Sequence, residues 1–569
     1  MKLILREYLA SLREREELDA ILPDLLSELG FSVYSRPRRG TTQHGVDIAA
    51  VSPASLGEQK VYLLSIKKGD LTRQDWDGTP QALRSSLGEI LDAYIGSRIP
   101  PEYGSLKIVI CLCFGGDMQE QVRPLVNGFT EKNTTDRISF EEWNGDKIAG
   151  LLLGGVLRED LLPKALKSHF QKSVALLDEP DIAYRHFSLL IKRLLASVPT
   201  DDGAARIRAA RQIYICVWIM FVWARDIGNV EAPYQASELA ILSVWELMKP
   251  LLDKKTRERE DLKRVLAQLI EVHLGISSEL IEKKVSPHVH VRDGLATAVH
   301  SRSHIDVNLK LFDLIGRIAM MGLWLQWSIP RQEEKMRSTI REAATKLCNA
   351  GLSMIENNAT LLLPVTDKQA THIALFLMLC IRCDVNSDRV LAWLKAMIDR
   401  YGFTILTQNH YPTSSDDYRN LINHPRARSQ EYFEEATAGS TLIPLLAAWV
   451  TGFQCPDLLA QLAKLTAEKL GHCNMQLWTV AQDSEEHLYL NSATPGRAIS
   501  DLVVIEDGHA LNNAIDEACK LDGAFDQLSA VKAGFEPIIL LACRHWDLPI
   551  PPDFWIEPLR LSDEQPTAN

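Results

Sequence analysis

Apolar and polar residues follow two different rhythms along this chain. Over roughly the first 160 residues, short apolar runs rich in β-branched and aromatic side chains fall at 31–34, 46–51, 61–66, 106–114 and 137–143, and each predicts a strand. Helical spacing fills the gaps at 81–94, 118–129 and 145–153. An opening helix sets Leu18, Leu22, Leu25 and Leu29 along one apolar face. The pattern predicts an α/β domain over 1–165.

From about residue 175 the rhythm becomes that of long helices, with apolar residues three and four apart and breakers at Asp201-Asp202-Gly203 and Ser286-Pro287. A large helical domain is expected over 175–465, followed by a small mixed α/β region over 466–569. In that last region, 475–480 and 487–490 are expected to pair as a hairpin before a helix at 510–520. The last dozen residues read as a frayed tail. Four apolar runs, 213–224, 318–327, 373–381 and 442–450, are each too short for the roughly 18–20 residues that span hydrocarbon, so they predict buried helices and no membrane partner.

Composition narrows the function classes. The chain has 569 residues, 46% of them hydrophobic, enough for real cores and too much for general disorder. A net charge of −12 excludes a protein that coats nucleic acid through bulk positive charge, so any such contact must be local. The ten cysteines are scattered through apolar stretches, the usage of reduced, buried thiols and of a cytoplasmic protein. The start, MKLILREYLASLRERE, turns charged too early for a signal peptide, so no export is expected.

The chemistry concentrates between residues 36 and 73. A polar loop, Arg36-Pro37-Arg38-Arg39-Gly40-Thr41-Thr42-Gln43-His44-Gly45, delivers Asp47 into an otherwise apolar strand, where a carboxylate needs a partner. In the next strand, VYLLSIKKG, alternation sets Ser65 and Lys67 on one face and Ile66 and Lys68 on the other. If the two strands are neighbours, an acid and an amine meet at the strand ends beside a basic loop. A carboxylate there can hold Mg²⁺ (or Mn²⁺) against a phosphate oxygen, and a lysine can act on the attacking water and on charge developing at phosphorus.

The order helix, GF-x-V strand, GVD strand and apolar strand ending x-x-K, closed by FEEWNGDKIAGLL, resembles the PD-(D/E)XK nuclease superfamily, most closely its Mrr-like restriction-endonuclease branch, over residues 10–155. The resemblance implies a central mixed sheet flanked by helices and Mg²⁺-dependent hydrolysis of DNA phosphodiester bonds. It matches Asp47 to the metal-binding aspartate, Lys67 to the catalytic lysine, and Asp19 to an auxiliary acid on the first helix. The backbone carbonyl of Ile66 and the hydroxyl of Ser65 would complete the metal shell. Ser65 departs from the family, which has Glu or Gln there, and Pro23 is expected to kink the helix of Asp19. Arg36, Arg38, Arg39, Lys68 and Arg73 are the candidate DNA-phosphate contacts.

By the same analogy the helical region gates cutting by sensing a trigger or binding a protein partner, and anti-phage defence is the expected setting. A homo-oligomer is compatible with the sequence. The alternative is an inactive nuclease-like scaffold that binds nucleic acid and recruits partners. Outside this domain, His288, His290, His300 and His304 crowd one segment, with His300 and His304 at the spacing of one helical face. They read as a secondary polar cluster or a small-ligand site, since the glutamate of an H-E-x-x-H zinc helix is missing. Cys380-x-x-Cys383 reads as core thiols, and no phosphate-binding G-x-x-x-x-G-K-[ST] loop occurs.

Overall fold

A computed structural model describes residues 6, 9–10, 18–36, 44–154, 164–199, 202–383, 385–407, 411–415, 417–424, 429–493, 496–500, 502–505, 507–521 and 523–561. The chain divides into two compact units, one formed by residues 1–236 with 260–269, the other by 237–259 with 270–569. Arg38, Arg39 and the last eight residues, the end of the expected tail, lie outside the described residues.

The first unit holds a five-stranded sheet in the order β1 (Ser32–Ser35), β2 (Ile48–Val51), β3 (Lys60–Lys67), β4 (Lys107–Phe114), β5 (Ile138–Trp143). β1, β2 and β3 form an antiparallel meander, while β3, β4 and β5 run parallel. The expected mixed sheet is present. β4 is apolar almost throughout because both of its faces are covered. On one face Val61, Leu63, Ile108, Ile110 and Leu112 pack with Trp76 of α2 (Arg73–Asp77), Leu83 and Leu87 of α3 (Leu83–Glu89) and Val126 of α4 (Arg123–Asn133). α1 (Asp19–Glu28) packs against β1 and β2, and α5 (Gly145–Gly154) follows β5. Parallel pairing brings the carboxyl ends of β3, β4 and β5 to one edge, together with the start of β2.

Three further helices, α6 (Lys164–Ala175), α7 (Pro180–Ala196) and α8 (Gly203–Ile227), complete this unit's chain up to residue 227. Within the expected breaker Asp202 is the N-cap of α8, its carboxylate accepting from Ala205 N at 2.9 Å. α8 extends well beyond the apolar run that predicted it and, by length and composition alone, could cross a membrane. Its most apolar 18 residues are 83% buried inside the structure, as a core helix would be.

The second unit is helical, apart from short strand pairs. Its main helices are α9 (His304–Ser328), α10 (Glu334–Asn357), α11 (Ala370–Arg382), α12 (Ser387–Leu406), α13 (Leu442–Gly452), α14 (Pro456–Lys469), α15 (Gly508–Lys520) and α16 (Pro537–His545). The apolar runs of α9, α11 and α13 are buried as expected. The expected hairpin is not formed as written. Leu477–Thr479 pairs antiparallel with Arg497–Ile499, and 487–490 is a turn closed by Leu490 N donating to His487 O at 2.8 Å. Apolar side chains in 487–490 misled the pattern, because Leu488 and Tyr489 are buried from a turn.

A mostly buried ionic network lies in this unit. Arg544 reaches Glu238 at 3.1 Å and Asp313 at 3.3 Å, Arg317 holds Asp313 at 2.8 Å, and His545 Nδ1 lies 3.1 Å from Glu238. Nearby, His273 Nδ1 meets Ser237 Oγ at 2.8 Å, and the Nδ1 of His372 is closed off from solvent. Burial pushes both His273 and His372 from 6.5 down to about 4. In the unfolded chain each imidazole takes up its proton near pH 6.5, while the folded one resists until about pH 4. The unfolded state therefore binds more protons in that window, and the unit loses stability as pH falls through it, by up to about 3 kcal/mol per histidine. Denaturant titrations at pH 7 and pH 4.5 are expected to show a lower midpoint at pH 4.5, with His273→Gln flattening part of the slope. A midpoint independent of pH would contradict the burial of neutral imidazoles.

Candidate functional site

Asp47 stands just before β2, one step beyond the Ile48–Leu64 pair, which sets it across from Ser65 of β3. Its own N–H donates to Leu64 O at 2.9 Å, and its Oδ2 accepts from Ile66 N–H at 2.8 Å. The carboxylate is thus fastened to the residue that precedes Lys67. Lys67 is the last residue of β3, in register with Phe114, and both Asp47 and Lys67 are partly exposed. Burial pushes the Cys113 thiol of β4 well above its ordinary range, and the Asp47 charge adds to that rise.

The turn before Asp47 fixes this position. Gly45 has φ +76°, and a Cβ there would stand 2.1 Å from Ser86 O of α3, so the backbone approaches too closely for any side chain. Gly45→Ala is expected to destabilise the unit by about 1–3 kcal/mol, read as a lowered thermal midpoint. A neutral result would mean that the loop is not clamped on α3.

After Lys67 the loops are stitched together. Gly116 N donates to Gly69 O at 2.8 Å, Leu71 N to Asp117 O at 3.0 Å and Gly145 N to Gly116 O at 2.9 Å, while Asp70 Oδ1 accepts from Asp117 N at 2.8 Å. Thr72 then caps α2 reciprocally with Asp75. Lys67 and Lys68 therefore sit on a segment held from both sides. Lys68 is exposed.

Ser65 shares its β3 face with Lys67 and is 1% exposed, and its hydroxyl has no hydrogen-bond partner among the described residues. Such an orphan is costly unless something outside the chain meets it. Asp19 opens α1 and is partly buried, and α1 continues through Pro23. Asp24, also on α1, is an acid that the sequence does not single out. It is 2% exposed, pairs with Arg36 at 3.4 Å and accepts from Gln268 at 3.2 Å. An aspartate within ILPDLL was the available signal.

Two expected phosphate contacts therefore carry structural ion pairs. Arg36 neutralises buried Asp24, and Arg73 pairs with Asp77 along α2 at 2.9 Å. Of the other expected contacts, Lys68 makes no ion pair among the described residues.

In the second unit, His300 and His304 do not share a helical face. His300 precedes α9 in a left-handed conformation and His304 is the first residue of that helix, because Ser301-Arg302-Ser303 breaks the run. All four histidines of the segment are exposed. Cys380 and Cys383 are buried, as expected, and Cys348 joins them with its Sγ 3.5 Å from that of Cys380. Among the described residues no group of three or more His, Cys, Asp or Glu is arranged to hold a metal ion.

The architecture defines an α/β unit built on a mixed five-stranded sheet, within a chain whose remainder is mainly helical. Comparison with protein-family models, with curated proteins and with solved structures returned no match.

Proposed function

We propose that the first unit is a Mg²⁺-dependent phosphodiesterase of the PD-(D/E)XK kind that cuts DNA. The observation that supports this most is the hydrogen bond from Ile66 N–H to Asp47 Oδ2 at 2.8 Å, which ties the acid to the residue beside Lys67 on one exposed sheet edge. The donor chemistry fits the metal. Asp47 carboxylate, Ile66 carbonyl and Ser65 hydroxyl are all hard oxygens, and a single carboxylate suits Mg²⁺, which keeps several waters and takes further oxygens from a substrate phosphate. The orphaned Ser65 hydroxyl is consistent with that role. When bound, the ion would neutralise charge on the phosphate and acidify a coordinated water.

The chain's own part follows from position. Asp47 holds negative charge at the edge, fixed by the Ile66 N–H. Lys67 presents an ammonium on the Ser65 face, able to orient a water and to stabilise charge growing on phosphorus. Lys68, on the opposite face of the strand, is a backbone-phosphate contact.

The helical unit then acts as the gate, answering a trigger or a protein partner, and the setting is bacterial anti-phage defence in the cytoplasm. Free thiols at all ten cysteines are in keeping with a reducing compartment. One observation favours a second reading. Ser65 stands where a second acid is expected, and a site with so few carboxylates suits a scaffold that binds nucleic acid without cutting it.

Supercoiled plasmid incubated with the full chain separates the two. Nicking that requires Mg²⁺ or Mn²⁺, stops with chelator and is lost in Asp47→Asn supports the enzyme. Retention of plasmid without nicking under both metals supports the scaffold.

A further inference from the structure

Within the second unit a cavity of about 400 Å³ opens beside the end of α9, the end of α11 and the start of α16. That volume lies in the range of small-molecule sites, roughly 300–1,000 Å³. The nuclease reading does not use it, and it is separate from the histidine segment.

Its walls combine rings with charges of both signs. Trp327, Phe525 and Phe554 line it, the two phenylalanines packed edge to face with centroids 4.9 Å apart. Trp327 is held in place, since its Nε1 donates to Gly534 O at 2.8 Å and the Arg331 guanidinium lies 4.0 Å from its ring centroid. The side chains of Arg382 and Glu536 also line the cavity and feel each other's charge, yet neither side chain makes a hydrogen bond or ion pair among the described residues. Asp553 adds a second carboxylate, steadied by Thr479 Oγ1 at 2.8 Å, and burial raises its pKa.

Each feature selects a part of a ligand. Aromatic walls favour a flat ring, since every base has a π-face that can stack on such rings. Carboxylates accept from N–H groups, as they do from exocyclic amines of bases, and are repelled by carbonyl edges. A guanidinium without a partner suits a phosphate, and a single one suits a single phosphate.

From these we infer that the cavity binds a nucleoside monophosphate whose base carries an amino group. The ring lies among Trp327, Phe525 and Phe554. Its amino edge faces Glu536 and Asp553, and its phosphate meets Arg382. The site gives the helical unit a small-molecule input, independent of whether the first unit cuts DNA.

Calorimetric titration of the full chain with AMP, GMP, CMP, UMP, adenosine and phenylalanine tests this. At least one of AMP, GMP and CMP is expected to bind with Kd of about 1 mM or tighter, with UMP and the free nucleoside roughly tenfold weaker or more. Arg382→Ala should erase the preference for AMP over adenosine, and Glu536→Gln should erase the preference for amino-bearing bases over UMP. Far-UV circular dichroism checks that both variants remain folded. No binding of any nucleotide, binding of phenylalanine as tight as that of the nucleotides, or affinities unchanged in both variants would each overturn the assignment.

Discussion

Lys67→Ala is expected to slow metal-dependent nicking of plasmid by a factor of about 10²–10⁴, while leaving the thermal midpoint close to that of the parent chain. The rate effect is the range found when a group that handles a proton or stabilises transition-state charge is removed. Stability should change little because Lys67 is the last residue of its strand and is partly exposed. Lys68→Ala, on the other face of the strand, is expected to weaken DNA retention and its salt dependence with a far smaller change in the cutting rate at saturating DNA. Equal losses of cutting rate in the two variants would argue that both lysines serve only as phosphate contacts, and would remove Lys67 from the chemistry.

Arg544→Met should produce the largest loss of stability in the second unit, about 3–5 kcal/mol. The guanidinium is 5% exposed and Glu238 is 1% exposed, and they meet at 3.1 Å. Asp313 would keep Arg317, but Glu238 would be left in the core without a guanidinium, with the imidazole of His545 beside it. An uncompensated buried carboxylate carries a desolvation cost far above the net value of the pair it came from. Glu238→Gln in the same background should therefore recover more than half of the loss, since it removes the stranded charge. Denaturant unfolding of the two single variants and the double variant measures this coupling. Strict additivity would show that the two groups do not share a charge balance.

Much of the first unit is legible because its signals are local. Strand spacing, the GVD segment and the VYLLSIKKG strand locate β2 and β3; a carboxylate in an apolar strand singles out Asp47, alternation puts Ser65 and Lys67 on one face, and their expected roles come from the family resemblance. The same local logic fails where apolar side chains are buried by something other than a strand, as at 487–490, and where a polar break interrupts a helix, as between His300 and His304. Charge runs misled for a related reason. Arg36 looks like a phosphate contact in a basic loop, but it is used up by Asp24, a residue twelve positions earlier.

The order of letters was enough to locate the five strands of the first unit and most of the long helices, because period and turn residues act over a few positions. Which groups meet depended on pairing that no short window contains. The antiparallel register sets Asp47 across from Ser65 and lets Ile66 N–H hold its carboxylate, and Arg544 finds Glu238 across 306 residues of chain. The rings and charges of the cavity in the second unit likewise come from segments far apart in sequence. Such contacts arise from packing, in which burial forces each charge to find a partner wherever the fold brings one within reach.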